Sequence, residues 1–317
     1  SQFGAEGFSF WMICGYLFFE YVRPQSIISG LDILPWAQIF IIFSALGWLL
    51  DSRRGETVAT SVSYWMVLFL VVILLASVTA YKPKLSFDAI SYFYNWLIIF
   101  FLIQLIVTNE KRFYIFLLLF MLASFKLSLF GAKTWALRGF SFTTWGLRGP
   151  PGFFTNSGEL AIQMNVFFGV SYYFYQSVKQ HVQGVKLWVV RLCPITAAMT
   201  VMAASSRGAQ LALVVQAYFV FLHGKVSFKS IASIVVVLGA MYYVLPEEQL
   251  QRFESSGEDR TSLQRLLYWE HGLDMMVDHP FLGVGYFNFS NYYNEHFSED
   301  LYYESAELPH NIFVQVG

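Results

Sequence analysis

The sequence alternates apolar stretches of about 20 residues with short polar breaks, a pattern that fits helices solvated by lipid. A bilayer core of about 30 Å needs about 20 residues in a helix, each advancing about 1.5 Å. Such stretches occupy 3–21, 31–50, 64–80, 89–107, 113–130, 160–175, 187–204, 210–222 and 231–245. Another begins near Asn311 and is cut off at Gly317, so the reading includes a chain trimmed at its C-terminal end. The first stretch has neither a basic leader nor a small-residue cleavage site and reads as a span, not a cleaved signal. Only 13% of the 317 residues are charged, against roughly a quarter in soluble domains. The fold class predicted is therefore all-α. It is a polytopic membrane bundle over 1–317 as a single integral domain, with about nine complete spans and the start of another.

Two connections are long. Residues 131–158 are rich in Gly, Trp and Arg, and residues 246–309 form a polar loop long enough to hold helices of its own. Orientation follows from the basic residues of the short loops, which stay preferentially in the cytoplasm. Arg53, Arg54, Lys111, Arg112, Lys179, Lys186, Lys225 and Lys229 fall in the second, fourth, sixth and eighth connections. The first, third and seventh carry only Arg23, Lys82, Lys84 and Arg207. The N-terminus is then cytoplasmic, and both long connections share the extracytoplasmic face with the turn at 205–208.

That face holds the residues able to do chemistry. Arg207, in Ser205-Ser206-Arg207-Gly208, sits at a membrane boundary; mid-bilayer it would cost about 2.5–3.5 kcal/mol. It reads either as a headgroup anchor or as a guanidinium fork for a diphosphate. In the long loop, Leu266, Trp269, Leu273 and Met276 make one helical stripe, capped by Thr261 or Ser262, with Arg265 at its edge one turn before Trp269. Such a helix usually just lies on membrane or protein. Pro280, in Asp278-His279-Pro280, ends it, and Gly283-Val284-Gly285 gives a tight turn. His310, between Pro309 and Asn311, reads as a capping residue or as a general base. Asn156 and Glu159 suit a helix start, and Lys126 either snorkels or faces a phosphate-holding cavity.

Other classes fit less well. Of the 6 histidines, His271, His279 and His296 lie in the long loop and His310 at its end, but none are paired at the i,i+4 spacing of a zinc site and no cysteine joins them. Cys14 and Cys193 lie in apolar runs and read as small core residues. A net charge of −1 argues against a nucleic-acid partner.

Taken in order, these pieces resemble the O-antigen ligase and polymerase superfamily of bacterial envelope enzymes. The resemblance rests on the Arg148-Gly149 loop leading to Asn156, on Ser206-Arg207-Gly208, and on Arg265 four residues before Trp269. It continues through Asp278-His279-Pro280 and Gly283-Val284-Gly285 to Pro309-His310-Asn311, over about residues 130–317. It implies about a dozen helices and a metal-independent, cofactor-free transfer. The donor implied is a glycan on undecaprenyl diphosphate, and the acceptor a lipid A-core hydroxyl, at the outer face of the bacterial inner membrane. Arg207 and Arg265 are then expected on the diphosphate, His310 as base, and Arg148, Asn156, Lys126 and Trp269 as substrate-binding residues. A polymerase using a lipid-linked glycan acceptor and a ligase modifying protein Ser or Thr share this donor. A transporter would show inverted repeats with broken mid-membrane helices, and no convincing repeat is visible.

Overall fold

The computed structural model describes residues 6–51, 60–143, 146–150, 154–222, 232 and 260–316. Among them are α-helices, short 3-10 turns and irregular segments, and no strand. The eight expected spans within these residues are all helices: α1 (Phe8–Tyr21), α2 (Trp36–Leu50), α3 (Ser61–Val78), α4 (Pro83–Ile106), α5 (Glu110–Leu137), α6 (Ser157–Val178), α7 (Val185–Ala203) and α8 (Arg207–Leu222). Except for position 232, the expected span at 231–245 lies outside the described residues, as do Arg53, Arg54, Lys225 and Lys229. Helices α3, α4, α5 and α7 are long and apolar enough to cross a membrane, and α2 is apolar but shorter. The chain is an all-α, multi-pass membrane protein.

Several helices run past their apolar stretch to a polar cap. Thr60 and Ser63 form a reciprocal capping box on α3, and Asn109 Oδ1 accepts from the Arg112 N–H at 2.9 Å, so α5 starts three residues early. At its other end α5 takes in residues 131–137, which the sequence pattern leaves in a connection. Counting apolar residues finds the lipid-facing part of a helix; caps set its ends.

Three further helices follow: α9 (Arg260–Asp278), α10 (Phe289–His296) and α11 (Ile312–Val316). The chain divides into two units, 1–52 with 109–254, and 53–108 with 255–317.

In the first unit α1 packs on α2, and α7 packs on α5 and α6. Small and hydroxylated residues let α5 and α7 approach closely. A Cβ on Gly131 of α5 would lie 2.5 Å from Thr200 Oγ1 of α7. That hydroxyl donates to the Ser128 carbonyl at 2.8 Å, and Ser128 and Thr196 hydroxyls meet at 2.9 Å. Cys14 and Cys193 are free thiols inside this packing.

Glu6 bonds Arg112 Nε at 2.7 Å and Lys111 Nζ at 3.0 Å, pinning the starts of α1 and α5 together. The Arg112 bond, with Lys111, holds the Glu6 carboxyl below its ordinary range. At the far end Lys126 Nζ donates to the Val22 carbonyl at 2.8 Å. The N-terminus and the fourth connection thus share one end of this unit, as the charge pattern requires.

In the second unit α3 and α4 form a hairpin, tied by Ser63 Oγ to Gln104 Oε1 at 2.9 Å. The third connection meets the long loop. Tyr81 N–H donates to the Val284 carbonyl at 3.0 Å, Ser86 Oγ to the Tyr286 carbonyl at 2.6 Å, and Lys82 N–H to Asn288 Oδ1 at 2.9 Å.

Candidate active site

In the second unit, α9 organises everything around it. Its buried face is Gln264, Tyr268, Gly272 and Met275, a face other than the apolar stripe read from the sequence. Leu266 and Leu273 are 50% and 56% exposed. The cause is what α9 covers: it holds a strap, residues 300–310, whose backbone groups need partners.

Gln264 accepts from the Tyr302 N–H at 2.6 Å and donates to the Asp300 carbonyl at 3.4 Å. The Tyr268 hydroxyl accepts from the Glu307 N–H at 3.0 Å. Trp269 Nε1 donates to the Pro309 carbonyl at 2.9 Å. His271 Nε2 pairs with Asp300 Oδ2 at 2.9 Å while its ring stacks on Phe297. Burial pushes the Tyr268 and Tyr293 phenols up, so both stay protonated.

His310 ends the strap with φ at +51°, a left-handed conformation uncommon outside Gly but visited by His. Its Nε2 lies 3.6 Å from Glu307 Oε2, and the side chain is half-exposed. Asn311 then caps α11, its Oδ1 accepting from the Phe313 N–H at 3.0 Å. Arg265 is exposed on α9 one turn before Trp269, and residues four apart share a helix face. Trp269 therefore links the two expected groups: Arg265 stands beside it on the helix, and His310 follows the carbonyl it holds.

In the first unit the remaining candidates gather at one end. The turn between α7 and α8 has Ser205 at φ +54°, and Arg207 opens α8, half-buried. A helix start adds its own positive field to that guanidinium, a combination suited to an anion. Leu147 N–H donates to the Ala203 carbonyl at 3.0 Å, and Gly149 N–H to the Phe154 carbonyl at 2.7 Å. These bonds bring exposed Arg148 and Asn156 to the same end as Arg207. Asn156 Oδ1 is already used, capping α6 at Gly158 N–H, 2.7 Å away. Lys126 neutralises the carbonyl end of α1.

Among the described residues, no three His, Cys, Asp or Glu side chains are grouped to hold a metal ion. The residues that sequence reasoning passed over are Gln264 and Tyr268, which hold the strap, and Gly146, which lets the segment before α6 touch the α7–α8 turn. Their signal was an irregular segment whose backbone had no regular partner.

Residues 192–317 match a family model described as O-Antigen ligase. That match supports the resemblance to the O-antigen ligase superfamily over these residues. Residues 5–141 match a family of unknown function (DUF5935). No curated protein and no solved structure matches the chain. The O-antigen ligase match contains Arg207, Arg265, Trp269 and His310. Lys126 falls in the family of unknown function, and Arg148 and Asn156 fall in neither. The match supports a glycan enzyme of the O-antigen ligase or polymerase type.

Proposed function

We propose that this chain is a glycan ligase of the bacterial inner membrane. In this reading its N-terminus is cytoplasmic, and it transfers a saccharide from undecaprenyl diphosphate to an acceptor hydroxyl, of lipid A-core type, on the extracytoplasmic face. The observation that carries the reading is the Trp269–Pro309 bond, which fixes His310 beside the helix bearing Arg265. The O-antigen ligase match over the same residues supports it.

The chemistry is one displacement. The acceptor oxygen bonds to the anomeric carbon from the face opposite the diphosphate, inverting that carbon. The bond from carbon to diphosphate oxygen breaks, and its electron pair leaves on the diphosphate. The acceptor proton passes to the His310 imidazole. A diphosphate is already a good leaving group, so the main demand is to stabilise its growing charge. Arg207 and Arg265 supply that as guanidiniums, and the transfer asks for no metal. Arg148, Asn156, Lys126 and Trp269 contribute to substrate binding.

The test is transfer by purified protein from undecaprenyl diphosphate-linked glycan, with and without chelator. It offers lipid A-core, lipid-linked glycan and protein acceptors to wild type and His310→Ala. Chelator-resistant product that disappears in the variant is expected with lipid A-core. Product only on a lipid-linked glycan or a protein would make the chain a polymerase or a protein ligase. No product from folded protein, with uptake into liposomes, would make it a transporter.

A further inference from the structure

Glu307 precedes His310 on the strap by three residues, and two consecutive side chains of α9 hold the backbone between them. The Tyr268 hydroxyl accepts from the Glu307 N–H at 3.0 Å, and the Trp269 indole donates to the Pro309 carbonyl at 2.9 Å. Little backbone freedom is left in this stretch. Pro309 fixes its own φ and restricts Leu308 before it, and His310 is left-handed at φ +51°. The approach of residue 307 to residue 310 is therefore set by the main chain, not by two long side chains finding each other.

That approach is close. Glu307 Oε2 lies 3.6 Å from His310 Nε2, just beyond hydrogen-bond length. Catalytic hydrogen bonds are often this long before substrate arrives and tighten in the complex. The Glu307 side chain is 74% exposed and has room to close the gap. Among the described residues His310 is its ion-pair partner, and no Lys or Arg competes for it. The titratable neighbour from α9 is Tyr268, whose phenol burial pushes up, so it stays protonated and adds no charge. The residues of α11 carry none.

We propose that Glu307 is a positioning residue for His310. Its carboxylate accepts from Nε2–H in the reacting complex, which leaves the Nδ1 lone pair as the basic site. The acceptor O–H bond breaks as its oxygen bonds to the anomeric carbon, and the proton passes to Nδ1. The imidazolium that results lies against a carboxylate that stays ionised, the arrangement of a base oriented by a third group. The inference rests on the ligase reading given above. An exposed ion pair contributes little to folding, so the use of this one lies in the reaction, where a full charge appears on the ring.

The experiment compares wild type, Glu307→Gln and Glu304→Gln, all as full chains in nanodiscs. Glu304 is another exposed strap carboxylate, with no ion pair to His310, and serves as the control. The first readout needs no substrate. It is the pH titration of the His310 ring by NMR with isotope-labelled histidine, the signal identified by its absence in His310→Ala. In Glu307→Gln the midpoint is expected at lower pH, because a carboxylate beside an imidazole favours the charged ring; Glu304→Gln should leave it in place. The second readout is glycan transfer across pH. Glu307→Gln should lower kcat about fivefold, the upper end for an exposed ion pair, with the donor KM unchanged and the acid limb of kcat/KM at lower pH. A purely structural role would lower the plateau without moving that limb. Glu307→Ala carries the same expectations and stands in if the carboxamide disturbs folding.

An unmoved midpoint in the folded variant, or an equal shift in Glu304→Gln, would overturn the inference. So would a loss as deep as that of His310→Ala, since a positioning carboxylate leaves the base in place. A shifted midpoint with wild-type kcat and pH profile would overturn it too, and leave the ligase reading intact. A His310→Ala protein with full transfer would instead sink the base assignment of that reading, and the positioning role with it.

Discussion

Trp269 has two possible roles, and Trp269→Phe separates them. As a substrate-binding residue its ring would meet the donor or acceptor. As the structure places it, its indole N–H holds the Pro309 carbonyl at 2.9 Å. Phenylalanine keeps an aromatic ring and removes that donor together with the five-membered ring that carries it. A part-buried hydrogen bond contributes a net of about 0.5–1.5 kcal/mol, or roughly two- to twelvefold in a population. Gln264 and Tyr268 still hold the strap at Tyr302 and Glu307, so it stays on α9 while its His310 end loosens.

The expected result is therefore a fall in kcat within that two- to twelvefold range, with the KM for donor little changed and the thermal half-life preserved. His310→Ala, by contrast, should abolish transfer. The assay is steady-state transfer at varied donor concentration, with folding checked by size exclusion and circular dichroism. A Trp269→Phe protein as dead as His310→Ala would refute the positioning argument, because one hydrogen bond cannot be worth that much. A large rise in KM alone would point to direct substrate contact, and no change at all would mean that the bond does not set His310.

Two further outcomes follow from the geometry. Gly146→Ala should shorten the detergent half-life of the protein sharply: Gly146 has φ +67° and its added Cβ would sit 2.7 Å from the Ala204 carbonyl carbon, so strain and overpacking together cost about 2–5 kcal/mol. Gly139→Ala is the control, with a similar φ of +64° but nothing within 4 Å of its Cβ; equal losses in both would refute the contact argument. The second concerns pH. Lys82, and then Tyr81, hold the Glu295 carboxyl below its ordinary value of 4.5. A depressed carboxylate contributes above its unfolded value and is lost as pH falls through the folded one. Glu295 in turn pushes the Tyr81 phenol up from 10.0, so that contribution is lost only as pH rises past the raised value. A spin label at exposed position 298 should therefore gain mobility in acid below the ordinary carboxylate range, and Glu295→Gln should flatten that transition; an unchanged transition in the variant would exclude the clasp.

The spans were legible because lipid imposes a length and a composition on any crossing helix, and α3, α4, α5 and α7 satisfy both. Caps such as Thr60, Asn109 and Asn156 were equally local. The face of α9 was not legible. Hydrophobicity points to Leu266 and Leu273, while the strap needs the carboxamide of Gln264 and the phenol of Tyr268, and Val314 of α11 needs an absent side chain at Gly272. A helix whose inner face binds backbone as well as burying Tyr268 and Met275 is only partly marked by a hydrophobic pattern. Lys126 was half legible: a lysine inside an apolar stretch must reach something polar, but only tertiary structure shows that this is the spent end of α1.

In the proposed reading, the strap also accounts for where the base sits. A helix would orient a histidine only along its own periodic rows, and in lipid it would leave the imidazole dry. Residues 300–310 have no ladder of their own, so side chains supply it: Gln264 and Tyr268 from α9, and Asn294 from α10, whose Oδ1 accepts from the Ala306 N–H at 2.7 Å. Each such bond orders a side chain as well as the backbone, at an entropic cost that a regular ladder avoids. What the arrangement gains is a left-handed His310 held on both flanks, by Trp269 at Pro309 and by the Asn311 cap on α11. An imidazole fixed in this way stays half in water, where a base that takes the acceptor proton in the proposed reading is open to solvent, while its backbone is held on α9.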